Sequence, residues 1–279
     1  MKKTLQFLAA IALVSSCTLY SCQKDILGDD HGHDGINKPH RAQVFLTDHP
    51  TPLFDSVFID IQQLEVKVED DSLANDGWVV LDIRPGVYNM LRFRNGIDTM
   101  FANGLLPNAK IRKLRLTLGM QNSVMFNNQS SALTIHDNDR QVVIDLDDND
   151  FEIDGSDHVV FSIDFDAAGS IRIDNSGPGN NNGFELKPHI KVFAKNKSGR
   201  IEGKVLPMAA DALVMAINGT DTTMAIPDDD DGEFKIVGLN AGTYTVFIDG
   251  QNGYADTTIT NVQVIEGEDT HLPTITLHQ

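Results

Sequence analysis

Asp164 and Asp166 stand two residues apart in the run Val160-Phe161-Ser162-Ile163-Asp164-Phe165-Asp166, whose alternation reads as a strand. On a strand this spacing turns both carboxylates to one face, roughly 7 Å apart. A pair so placed suits the acid and base work of a glycoside hydrolase acting with a divalent cation. Such catalysis needs a cleft, platforms on which a sugar can stack, and a raised pKa on one member. With 7 % aromatic residues and a single tryptophan, platforms are scarce. The plainer expectation is structural: carboxylates at a strand end that cap backbone N–H groups or join a cation site.

Calcium is the next chemistry to weigh, because a hard cation gathers several oxygens. Asp145, Asp147, Asp148 and Asp150 form one acidic loop, and Asp137 and Asp139 could share an ion with it. The competing account is a solvated edge that resists aggregation. Asp228-Asp229-Asp230-Asp231-Gly232 resembles half of an EF-hand loop, but aligning Gly232 with the sixth position places Pro227 first and Gly238 twelfth. Two required ligands are then missing, and the segment is expected to be a hairpin turn.

Other residues carry weaker signals. His49 could serve as a general base, yet no nucleophile lies at a readable spacing, so an Asp-His-Pro turn opening a loop is the simpler reading. Trp78 follows Asp76-Gly77, starts a strand and is expected to fill the core, with a lone sugar platform as the alternative. Arg92 and Arg94 share a strand face, whereas Arg112 and Arg115 face opposite sides, and pairing with nearby carboxylates is expected of all four. His31, His33, Asp34 and His40 lie in a Gly- and Asp-rich segment with nothing to hold a ligand geometry. No Gly-x-Ser-x-Gly elbow, His-Glu-x-x-His pair, P-loop or Gly-x-Gly-x-x-Gly fingerprint occurs, so no enzymatic activity is expected.

The elements that must position these residues are strands. Val57 to Ile61, Leu64 to Val68, Leu114 to Leu118, Val142 to Leu146, Val160 to Phe165, Ile190 to Phe193 and Ile201 to Val205 each place apolar residues at period two. Asp76-Gly77, Pro85-Gly86, Asn95-Gly96, Asn103-Gly104 and the stretch Gly177 to Gly183 punctuate them. The one short helix is expected between Gly96 and Asn103. No βαβ spacing is present. The expectation is an all-β chain of two antiparallel sandwiches, with a boundary at Lys195-Asn196-Lys197-Ser198-Gly199.

Composition bounds the partners. The 279 residues carry 22 Lys+Arg against 40 Asp+Glu, a net charge of −18, which disfavours nucleic acid and adsorption to anionic lipid. Its only two cysteines, Cys17 and Cys22, leave the body without a disulfide framework, a Cys zinc site or a Cys nucleophile. Both lie behind Lys2-Lys3 and the apolar run Leu5 to Val14, too short to span a bilayer and suited to a secretory signal. A cysteine after small residues resembles a bacterial lipoprotein signal, which implies a diacylated thiol at the new N-terminus. Cys22 is preferred, with Cys17 as the alternative, and Gln23-Lys24-Asp25 resembles the tag that sends lipoproteins of one Gram-negative phylum to the cell surface. The expected plan is a signal peptide over 1–21, a flexible acidic tether over 22–41, a larger sandwich over 42–195 and a smaller one over 199–279. Its expected place is the outer membrane, anchored by lipid and turned outward, or on the periplasmic face. Removal of the signal takes Lys2 and Lys3, so the mature charge is 20 − 40 = −20.

Two resemblances add architecture. Residues 42–193 resemble the domain-of-unknown-function family 4382, through Leu46-Thr47-Asp48-His49-Pro50, Phe54 to Ile61, Trp78, Asn95-Gly96, Leu105-Leu106-Pro107, Ile111 to Leu116, Asp164 to Ile171 and Leu186 to Val192. That family implies an architecture and no agreed activity. Residues 199–279 look like the carboxypeptidase regulatory-like fold, a small transthyretin-type sandwich, through Gly203-Lys204-Val205, Asp231 to Ile236 and Gly238 to Val246. This second resemblance implies a rigid spacer, with carbohydrate binding known in the wider group. The function expected is therefore a displayed binding or structural module whose partner is a glycan or an envelope protein.

Overall fold

The computed structural model describes residues 40–69, 75–97, 99–107, 109–146, 151, 158–174 and 183–279. These belong to one compact unit. The described residues are all-β, with helix among them confined to single short turns such as Met90–Phe93 and Ala167–Ser170. Among the described residues no helix is long and apolar enough to cross a membrane.

Among the described residues, alternating apolar side chains close four sheets on two cores. In the first sheet the strands run Ile190–Ala194, His158–Asp166, His40–His49, Thr99–Leu106 and Asp82–Ile83 from edge to edge. The second is organised by the 13-residue strand Ser56–Val68, which pairs with Ile111–Leu118, Ser123–Phe126, Trp78–Val80 and Gly86–Asn89. Val44, Leu46, Phe161, Ile163 and Phe165 of the first sheet share a core with Ile59, Ile61, Leu64, Val66 and Leu116 of the second. A smaller pair of sheets follows. Gly199–Leu206 is flanked by Glu233–Leu239 and Asp269–His271 in one, and Leu213–Asn218 and Gly242–Asp249 lie at the centre of the other. Their shared core holds Ile201, Phe234, Ile236, Val214, Val246 and Ile248. Each side chain of this kind contributes about 1.5–3 kcal/mol when fully buried.

Three expectations are corrected here. The sheets are mixed, not purely antiparallel: His40–His49 runs parallel to His158–Asp166, and Gly199–Leu206 runs parallel to Asp269–His271. Period-two alternation reports which face a residue occupies and is silent on strand direction. The helix expected between Gly96 and Asn103 is instead a turn followed by the strand Thr99–Leu106, and the helical turn lies upstream at Met90–Phe93. Asn95 and Gly96 both take positive φ, 58° and 67°, which ends a helix there, and Phe101 and Leu106 gain burial by pairing with His40–His49. The hairpin expected at Asp228–Gly232 is a corner that crosses between sheets, since Asp221–Ala225 and Glu233–Leu239 lie in different ones. Gly232 is needed at that corner, with φ at 79° and the Val205 carbonyl 2.3 Å from where a Cβ would sit.

Candidate functional site

The parallel pairing sets Thr47 beside Asp164 and His49 beside Asp166. Aligned neighbours in a sheet share a face, so Asp164 lies opposite the core-facing Asp48 and Phe165. Asp164 is only 8 % exposed, accepts a hydrogen bond from the His49 amide, and has one carboxylate oxygen without a partner. Burial, followed by the negative charge of Asp166, raises its pKa to about 7. Asp166 is differently employed. One oxygen caps the short helix by accepting from the Gly169 amide at 2.7 Å, and the other meets Nδ1 of His189 at 2.8 Å. Asp48 accepts from the Ala167 amide at 3.3 Å, its other oxygen is also unpartnered, and burial, then Asp164, holds its pKa well above the usual carboxylate range. Burial lowers the pKa of His49, the strand's last residue.

The pair weighed for hydrolytic chemistry therefore meets one of its three requirements, a raised pKa on one member. Asp164 is closed off from solvent, and neither carboxylate lines the groove described below. Among the described residues no group of three or more His, Cys, Asp and Glu has the arrangement to hold a metal. Asp145 pairs with Lys113 at 2.6 Å, Asp139 with Lys187 at 2.7 Å and Asp137 with Arg140 at 3.6 Å, so these carboxylates answer cations of the chain itself. Asp147, Asp148 and Asp150 lie outside the described residues, as do Cys17, Cys22, His31, His33 and Asp34.

Trp78 is half-buried at the start of a strand. The Arg115 guanidinium covers its ring at 4.1 Å from the centroid, and Lys67 stands at 6.0 Å. Arg115 is held in turn by Glu65, with Nη2 to Oε1 at 2.6 Å. One face of the indole is thus taken by a cation of the chain itself. Arg112 pairs with Glu69.

A groove of about 880 Å³ runs between the two sheet pairs. Arg92 and Arg94, from the turn after Asn89, line it together with Asp55, Asp228, Asp229 and Asn252. The Asn95–Gly96 turn lies between the lining residues Arg94 and Ile97. Nδ2 of Asn95 donates to the Ile226 carbonyl at 2.6 Å and to Oδ1 of Asp228 at 3.0 Å, and Gly96 packs where a Cβ would lie 3.0 Å from Cδ of Lys235. Lys191 reaches across nearby to the Gly238 carbonyl at 3.2 Å, and Phe193 packs so tightly on Gly238 that a Cβ there would lie 2.6 Å from its ring. The residue pattern marks Asn95-Gly96 as a turn but carries no sign that Asp228, 133 residues later, receives it.

These features define an all-β chain with two sheet pairs locked by a loop and a polar groove between them. Residues 41–188, more than half the chain, match the family described as Domain of unknown function (DUF4382), and the chain belongs to that family. No curated protein matches it. Among solved structures, a type II cohesin–X-dockerin complex from Acetivibrio cellulolyticus is 27 % identical over 28 % of this chain and 56 % of that one, with a TM-score of 0.23. The Bacillus anthracis TIE protein is 12 % identical over 89 % of this chain and 42 % of its own, at 0.24. A fimbrial protein from Bacteroides ovatus is 10 % identical over 88 % and 51 %, at 0.25. The chain spans about half the length of each, and TM-scores of this size do not establish a common fold.

Proposed function

We propose that this protein is a non-enzymatic binding or structural module, displayed outside the cytoplasm by a lipid on Cys22, or on Cys17. Residues 199–279 then form a transthyretin-type sandwich that acts as a rigid spacer, a reading favoured by its four-stranded sheets facing one core. The observation that carries the proposal is the Asn95–Gly96 turn keyed into the second sheet pair, which makes one stiff body with a polar groove. A stiff body on a lipid suits presentation, because confinement to the membrane plane raises the effective concentration of any co-anchored partner. The partner is a glycan or another envelope protein, and nucleic acid is disfavoured by the charge of −18. Protease shaving of intact cells tests the outward orientation, and a glycan array tests the ligand. Loss of the protein from shaved cells and a positive array support the proposal, whereas a protected, unlipidated chain defeats it.

The alternative is a divalent-cation-dependent hydrolase acting on glycans, favoured by the pKa of Asp164, raised to about 7, two residues from the second carboxylate Asp166. Substitution of both by asparagine must then abolish a measurable hydrolysis. A melt with calcium, then with EDTA, tests the ion, since a ligand of the native state must raise Tm.

A further inference from the structure

A separate cavity of about 480 Å³ opens beside the two-residue edge strand Asp82–Ile83. Three rings line it, from Tyr88, Phe93 and Phe101. Tyr88 and Phe101 meet edge to face, with centroids 5.4 Å apart and planes at 79°, so the two rings make a corner. The Tyr88 hydroxyl donates to the Arg84 carbonyl, which ties this ring to the loop that follows the edge strand. Asp82 pairs directly with Asn103 across the strands, so a carboxylate and a carboxamide share one face about 5 Å apart at Cβ. Asp82 and the Arg84 side chain are exposed, and Asn103 is half-buried.

We propose that this pocket binds a short neutral saccharide. The half-buried rings of Tyr88 and Phe93, the first braced edge to face by the buried Phe101, offer C–H faces of a pyranose a place to stack, while carboxylate, carboxamide and guanidinium provide the acceptors and donors that vicinal hydroxyls require. The competing ligand classes fit less well. A purely apolar molecule would strip water from Asp82 and Arg84 and return no hydrogen bond. An extended peptide needs a free edge to pair with, and this edge is two residues long and is followed, one residue on, by Pro85, which has no N–H to give. An anionic ligand approaches a chain of charge −18 against its field. The volume falls within the ~300–1,000 Å³ common to small-molecule sites. The inference rests on the binding-module proposal and names its ligand class and place.

The full-length chain, purified in detergent, is offered a panel of neutral and uronic-acid oligosaccharides, and hits are titrated by calorimetry. A neutral member is expected to bind, and Asp82→Asn and Tyr88→Ala each to weaken it by roughly tenfold or more, the first through a lost charge-assisted hydrogen bond and the second through a lost stacking face. Because Tyr88 also packs on Phe101, the exposed Asp82→Asn is the variant that leaves the core alone, and the Tm of both is recorded. Arg92→Ala reports on the groove between the sheet pairs, and binding that survives in it while both pocket variants weaken it places the ligand in the pocket. No binding across the panel overturns the inference, as does binding indifferent to both pocket variants. Loss of binding in Arg92→Ala alone moves the ligand to the groove, which defeats the pocket and leaves the binding module standing. Display is judged apart, by shaving cells.

Discussion

Asp164 shows how a single buried carboxyl sets a pH dependence. In the unfolded chain it titrates near 3.8, and in the folded chain near 7. The folded state therefore holds the proton more tightly, and the stability this contributes is full below about pH 4 and is lost as pH rises through 7. His49, with a folded pKa below 6.5, works in the opposite sense and weakens the fold as pH falls through that lowered value. The difference between wild type and Asp164→Asn isolates the first effect. The variant is expected to match wild type near pH 3 and to be more stable at pH 8, on the order of a few kcal/mol, as chemical denaturation at the two pH values would read. Equal stabilities at pH 8 would mean that Asp164 is not held in this state. A second residue-scale prediction concerns Glu65, whose side chain is 9 % exposed and whose charge is answered by Arg115. Arg115→Ala leaves that carboxylate buried and unpaired, so a loss of about 2 kcal/mol is expected, with part of it restored by adding Glu65→Gln.

The elements were largely legible in the residue pattern, and their arrangement was not. Val57 to Ile61, Leu114 to Leu118 and Val160 to Phe165 announce themselves by alternation, and each is a strand with its apolar set inward. The parallel docking of His158–Asp166 on His40–His49 depends on a contact more than 100 residues apart, and alternation alone cannot encode it. Sites fared similarly. The Asp164/Asp166 pair was visible as two carboxylates, but not its mismatch, one carboxyl buried and one capping a helix. Trp78 was visible as an aromatic at a strand start, but not the guanidinium over its ring. The Asn95–Gly96 turn supplies a prediction at this scale. Asn95→Ala removes two hydrogen bonds into the second sheet pair, costing about 1–2 kcal/mol. It is expected to lower Tm by a few degrees and to speed cleavage within the exposed Asn196–Lys197 turn, checked by limited proteolysis. An unchanged cleavage rate would show that the turn does not lock the two sheet pairs.

At the scale of the molecule, charge, architecture and address converge on one proposal. Under that proposal a net charge of −18 disfavours nucleic acid and anionic lipid, so attachment to a membrane would fall to the acyl chains and not to electrostatics. Two sheet pairs joined through Asn95, Lys191 and Phe193 carry any ligand as one body. The measurement that bears most directly on this account is metabolic labelling with a radioactive fatty acid, followed by protease treatment of intact cells. The account predicts label on the wild-type chain, label retained in Cys17→Ser and lost in Cys22→Ser, and digestion of the labelled chain from outside. An unlabelled chain recovered from the cytoplasm would contradict it.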